Sequence, residues 1–243
     1  MLRFSLISKD LTTMTSQFAF RVLATASALA LSAGVAQAQD GPKLSYNLGV
    51  ASDYVFRGVS QTNENAQVSG GVDLTVGKVY AGTWASNVDF GDSTDAEIDL
   101  YAGYKPTIGK ASLDLGVIYY GYAGAPSGAD YGNVEFKAAG SIPAGKGSLG
   151  AAVFYSPDSF GAADEAVYYE LNGSYPVVDK WSVSAALGRQ TYSGSGDYTT
   201  WNVGAAYAIN DKLTLDLRYH DTGEHTFGKL YGSRGVISLK AAF

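Results

Sequence analysis

Side chains of opposite character alternate along most of the chain. Leu44, Tyr46, Leu48, Val50, Tyr54 and Phe56 share one parity, while Ser45, Asn47, Gly49, Ala51, Asp53 and Arg57 mostly hold the other. A strand sends successive side chains to opposite faces, so a period of two gives one apolar and one polar face. The pattern returns several times. Val68, Val72, Leu74 and Val76 oppose Gln67, Ser69, Asp73 and Thr75. Ala96, Ile98, Leu100, Ala102 and Tyr104 oppose Asp95, Glu97, Asp99 and Tyr101. Val167, Tyr169, Leu171 and Tyr175 oppose Tyr168, Glu170, Asn172 and Ser174, and Leu213, Leu215, Leu217 and Tyr219 oppose Thr214, Asp216, Arg218 and His220.

About twelve such segments can be marked: 44–56, 66–76, 79–88, 95–105, 111–122, 131–142, 148–156, 165–175, 181–190, 199–209, 212–220 and 233–243. Most reach the ~9–11 residues with which a tilted strand crosses a bilayer. Pro42, Pro106, Pro126, Pro143, Pro157 and Pro176 all fall between segments or at their ends, as expected of a residue that cannot donate to a ladder. Connections alternate in length. Short ones lie at 77–78, 106–110, 143–147, 176–180 and 210–211, and longer polar ones at 57–65, 89–94, 123–130, 157–164, 191–198 and 221–232. Short turns on one rim and long loops on the other predict an all-β fold, a transmembrane antiparallel up-and-down barrel of about twelve strands. Closure leaves no unpaired edge in lipid. The long loops stay near a dozen residues, so no constriction loop and no deep in-folded plug are expected.

A different signal precedes the strands. Arg21 opens an uncharged run from Val22 to Val35, which ends in Ala36-Gln37-Ala38. The run is too short to span a bilayer, and small-x-small is what a signal peptidase cleaves. Residues 1–38 are therefore read as a signal peptide, with Met14 as an alternative start, and 39–243 as the barrel. With no cysteine in the chain, disulfides, thiolate metal sites and an N-terminal lipid anchor are excluded. An exported, anchorless barrel points to the outer membrane of a Gram-negative bacterium.

In a membrane barrel the apolar face meets lipid and the polar face lines the lumen. A secreted barrel with the faces reversed is the competing reading, and twelve strands with alternating loop lengths speak against it. The lumen-lining candidates are Asp53, Arg57, Asp73, Glu97, Asp99, Asp114, Glu135, Lys137, Glu170, Asp216, Arg218 and Lys240. Asp53 and Arg57 are read on one strand near the outer rim, able to pair across strands or to pin the loop 57–65. The row Asp95, Glu97 and Asp99 would draw cations inward, or pair with Lys137 and Arg218 to narrow the pore. Acids exceed bases on this face, which predicts a weak cation preference. Trp181 and Trp201 are aromatic-girdle candidates, and the many tyrosines find a natural place at the same interfaces. Ile237, Leu239, Ala241 and Phe243 share a face, and terminal Phe243 is read as a barrel-assembly signal.

Ala51-Ser52-Asp53-Tyr54-Val55-Phe56-Arg57-Gly58-Val59-Ser60-Gln61 resembles the opening motif of the TorF-type porin family of proteobacteria. Trp84-Ala85-Ser86-Asn87-Val88-Asp89-Phe90 and Glu97-Ile98-Asp99-Leu100-Tyr101-Ala102-Gly103-Tyr104 resemble its next two blocks. The resemblance implies an outer-membrane barrel acting as a porin, and it brings no catalytic residues.

An enzyme is the less favoured reading. The only histidines are His220 and His225, no G-x-S-x-G elbow occurs, and serines such as Ser52 and Ser60 are too common to be diagnostic. No metal or cofactor is expected; loop acids suggest at most unspecific divalent binding beside lipopolysaccharide phosphates. A formal charge of −6 and the lack of a basic cluster argue against nucleic acid as a partner. Expected partners are outer-membrane lipid and lipopolysaccharide, the assembly machinery, and small hydrophilic solutes or ions passing by diffusion. A structural or adhesion barrel with a sealed lumen is the alternative.

Overall fold

A computed structural model describes residues 41–161 and 165–243; the expected signal peptide and start site lie outside them. Twelve long strands follow in order: β1 Lys43–Ala51, β2 Gln67–Val76, β3 Val79–Asn87, β4 Ala96–Tyr104, β5 Ala111–Ala123, β6 Asn133–Ala144, β7 Gly147–Ser156, β8 Ala166–Val178, β9 Trp181–Tyr192, β10 Tyr198–Ala208, β11 Leu213–Thr222 and β12 Arg234–Ala242. Each pairs antiparallel with its chain neighbours. The ring closes where β1 meets β12, with Asn47 opposite Ala242 and Ala51 opposite Ser238. The fold is thus a closed twelve-stranded up-and-down barrel, and the period-two segmentation locates every strand.

The faces are sorted as the alternation predicts. Leu48, Val68, Leu100, Leu149, Leu171, Leu187 and Ile237 are exposed on the outside. Asp114, Glu135, Lys137, Glu170 and Arg218 are buried within. Such an arrangement inverts a soluble core: apolar residues on one parity form the outer coat, and charge is enclosed.

Glycine supports this interior by giving tyrosine room. A Cβ on Gly103 would strike the Tyr80 ring, one on Gly82 would lie 2.6 Å from the Tyr101 ring, and one on Gly188 would meet Tyr168. These tyrosines lie inside, flat over glycines of adjoining strands. That corrects the expectation that tyrosine serves mainly the outer interfaces, although Tyr46, Tyr104, Tyr119, Tyr169, Tyr175 and Tyr219 are exposed.

The first segment departs from its expected extent. The alternation predicts a strand continuous to residue 56, but β1 stops at Ala51. Residues 52–66 leave the wall. Within them Val55–Phe56 pairs with Val59–Ser60 as a miniature hairpin. Its tip is Arg57 (φ 48°) and Gly58 (φ 83°). Two successive positive φ values are what a two-residue hairpin turn of the primed type needs.

Candidate functional site

The hairpin does not stand over the rim. It folds into the barrel, which corrects the expectation of no in-folded loop. Arg57 also lies on this tip and not on a wall strand. Its Nη1 and Nη2 donate to Glu135 Oε1 and Oε2 at 2.7 and 2.9 Å, a bidentate pair, and Nη1 also reaches Gln190 Oε1 at 3.2 Å. The guanidinium carbon sits 4.6, 4.9 and 4.4 Å from the ring centres of Phe56, Phe154 and Tyr168. Burial alone would depress the guanidinium pKa, but the Glu135 carboxylate outweighs it and holds Arg57 above its ordinary value.

Two further anchors hold the loop. Asp53 lies in the loop as well, where its Oδ1 accepts from Ser60 Oγ at 2.7 Å and Thr62 Oγ1 at 2.9 Å. Its Oδ2 accepts from Arg234 Nη1 of β12 at 3.0 Å. Tyr54 Oη donates to Glu97 Oε1 of β4 at 2.7 Å, and its ring meets Trp84 of β3 edge-on at 5.5 Å. Burial and the adjacent Glu97 push the Tyr54 phenol well above its ordinary range. Asp53 ties the loop to β12, the strand beside β1, and Arg57 ties it to β6 across the barrel.

The remaining candidates lie on the wall strands, inside the barrel. Asp114 Oδ2 takes Lys137 Nζ at 2.8 Å, and its Oδ1 takes Tyr80 Oη at 2.7 Å. Arg218 forks onto Asp216 at 3.1 and 3.0 Å and also reaches Asn202 at 2.7 Å and Ser184 at 2.8 Å. Glu170 accepts from Asn172 and Tyr168, and Asp73 from Tyr101. Lys240 is half-buried on β12, opposite Gly49 and Thr214. The acidic row is shorter than expected: Asp95 is an exposed loop residue, while Glu97 and Asp99 are buried. It does not pair with Lys137 or Arg218, which have closer acids of their own. Asp99 Oδ1 is buried without a hydrogen-bond partner among the described residues.

Trp181 and Trp201 are exposed on the outer face, Trp181 at the turn end of β9 and Trp201 towards the loop end of β10. They pack on Tyr207 and Tyr219 at 5.0 and 5.4 Å. Phe243 exchanges two backbone hydrogen bonds with Tyr46 beside the seam. His220 is buried inside β11, and His225, in the loop that follows, pairs with Asp221 near the end of that strand at 2.7 Å. Ser60 is held by Asp53, and Ser52 Oγ accepts from Ile237 N. Among the described residues no serine hydroxyl bonds a histidine.

Sequence reasoning missed Tyr54, Arg234, Gln190, Trp84 and Tyr80; it placed Tyr101 and Tyr168 on the polar parity without naming them as lumen residues. For Arg234 a signal existed, since it shares the parity of Ser238 and Lys240. Gln190 likewise shares that of Ser182 and Ser184.

The two ends of the interior differ. Near the long loops Tyr54, Arg57, Glu97, Tyr120, Glu135, Tyr168, Gln190, Tyr198, Thr200 and His220 are all buried. Near the short turns Ser45, Asn47, Thr75, Ser112, Ser148, Ser174 and Thr214 remain half-exposed.

Comparison with known proteins follows this geometry. A family model described as a bacterial protein of unknown function (Gcw_chp) matches residues 35–242, spanning all three blocks that resemble the TorF-type porins. No curated protein matches the sequence. Among solved structures, the KdgM porin superposes with a TM-score of 0.59 at 8% identity, covering 82% of this chain and 99% of that one. The KdgM porin in complex with disordered oligogalacturonate gives 0.58 at 9%, covering 82% and 98%. The NanC porin gives 0.54 at 8%, covering 83% and 99%. At such identities the likeness is one of fold.

Proposed function

The chain belongs to the Gcw_chp family of bacterial proteins, and on that premise we propose that it is an outer-membrane channel through which small hydrophilic solutes or ions diffuse. The carrying observation is the closed ring with an apolar coat on every side and an enclosed polar, charged interior. In this reading residues 39–243 form the membrane barrel after removal of residues 1–38. Trp181 and Trp201 sit at the two membrane–water interfaces among lipid and lipopolysaccharide, and the last strand ending in Phe243 is read by the assembly machinery. No catalytic role is assigned to the interior.

Charge bookkeeping supports a weak preference for cations. Arg57–Glu135, Arg234–Asp53, Lys137–Asp114 and Arg218–Asp216 neutralise one another. Among the described inward residues that leaves Asp73, Glu97, Asp99 and Glu170 against Lys240 and, at the turn-end mouth, Lys105, whose ammonium lies 4.3 Å over the Tyr80 ring. A polyanion such as the oligogalacturonate of the KdgM complex suits this interior poorly. Reversal potentials in a planar bilayer under a KCl gradient test the preference, and clear anion selectivity would refute it. The burial of the loop-end side chains favours one other reading, a structural barrel sealed throughout. Purified, refolded protein that gives no channel steps under any condition would establish that alternative.

A further inference from the structure

We propose that the Arg57-Gly58 hairpin is the conductance-limiting and size-limiting element of this channel, a plug seated across the loop end of the lumen. This rests on the channel reading above.

Residues 52–66 leave the wall between β1 and β2, the two neighbours of their own hairpin connection. Yet Tyr54 contacts Trp84 on β3 and Glu97 on β4, and Phe56 packs against Tyr120 on β5 at 6.0 Å. Arg57 then holds Glu135 on β6, stacks on Phe154 of β7 and Tyr168 of β8, and reaches Gln190 on β9. A Cβ on Gly58 would strike Thr200 of β10 and lie 2.8 Å from Thr222 of β11, while Asp53 holds Arg234 of β12. One short loop that touches every strand from β3 round to β12 must cross the interior.

Arg57 holds a left-handed backbone, which is uncommon for a side chain of its size and is kept only where surroundings over-determine it. Here the over-determination is a bidentate carboxylate and three aromatic rings at the far wall. Gly58 permits a tip that lies directly on Thr200. Thr62 is fully buried and receives the Tyr54 N–H at 3.0 Å, which fixes the returning limb. The turn end is filled differently: one buried cluster of Tyr80, Asp114 and Lys137 lies against one side of the wall, while Ser148, Gly150, Asn172 and Ser174 line much of the rest and stay half-exposed. Flow through the barrel is then limited where the hairpin sits.

The test is single-channel recording of the full chain refolded into planar bilayers, with polyethylene glycols of increasing size as lumen probes. Wild type is compared with Arg57→Ala and with a variant whose residues 54–63 are replaced by a Gly-Ser linker. Heat-modifiable gel migration checks barrel closure. At least about a threefold rise in conductance and entry of larger glycols is expected in both variants. Should Arg57→Ala fail to fold, Arg57→Lys, which keeps the charge and loses the fork, takes its place with a smaller rise expected. Equal conductance and equal glycol cut-off in wild type and linker variant would overturn the plug and leave the channel standing. A closed linker variant that never conducts would overturn the channel reading itself, and the plug with it.

Discussion

The loop end and the turn end of this interior are made by the same twelve strands and filled by opposite means. At the loop end, long side chains meet a loop that enters from above, and charges are paired across distant strands. At the turn end, serine, asparagine and glycine leave many side chains half-exposed and bonds such as Ser148 with Ser174 at 3.0 Å join neighbouring strands, the buried Tyr80, Asp114 and Lys137 being the cluster that reaches across several. Loop-end residues answer to tertiary partners. Turn-end residues answer mainly to the ladder, the Tyr80, Asp114 and Lys137 cluster apart.

That difference sets the order of expected effects. Glu135→Ala should be the most damaging, because it leaves Arg57 buried without its carboxylate; about 3–5 kcal/mol is expected for breaking such a pair. Urea unfolding of the refolded barrel measures it, and a loss under ~1 kcal/mol would break the claim that the loop end is tightly built. Gly58→Val comes next. Positive φ together with contact on Thr200 should cost about 1–3 kcal/mol. The same unfolding measurement, with proteolysis at the loop as a second readout, reports whether the hairpin has left its seat. Ser45→Ala on the turn end should change stability by no more than about 0.5 kcal/mol. A larger loss would show the turn end to be packed as closely as its counterpart.

Much of this molecule was legible from one periodicity. The twelve strands, the faces and the alternating connections follow from side-chain parity, because a wall with lipid on one side and polar groups on the other tolerates no register error. The hairpin escaped for a physical reason. Tyr54 and Phe56 continue the alternation of β1, so the parity rule runs on past Ala51, while the chain has already turned inward. What turns it is non-local: Glu135 is 78 residues from Arg57 and Arg234 is 181 from Asp53. No window of sequence contains both partners. Tyr80 escaped because a ring with a hydroxyl suits either face; the glycine opposite it, Gly103, decides it. The block that carries the porin resemblance at residues 51–61 turns out to contain the hairpin itself.

The seam has a consequence in time. β1 is synthesised first and β12 last, and the ladder they share has five Cα pairs, fewer than any other in the ring. Joining ends so far apart in sequence is entropically slow, and it waits on the finished chain. The hairpin depends on the same event, since Ser52 N bonds Ile237 O at 2.9 Å and Asp53 needs Arg234, both on β12. Its seat is incomplete until the final strand docks. The hairpin thus gains its full set of partners only as the ring closes.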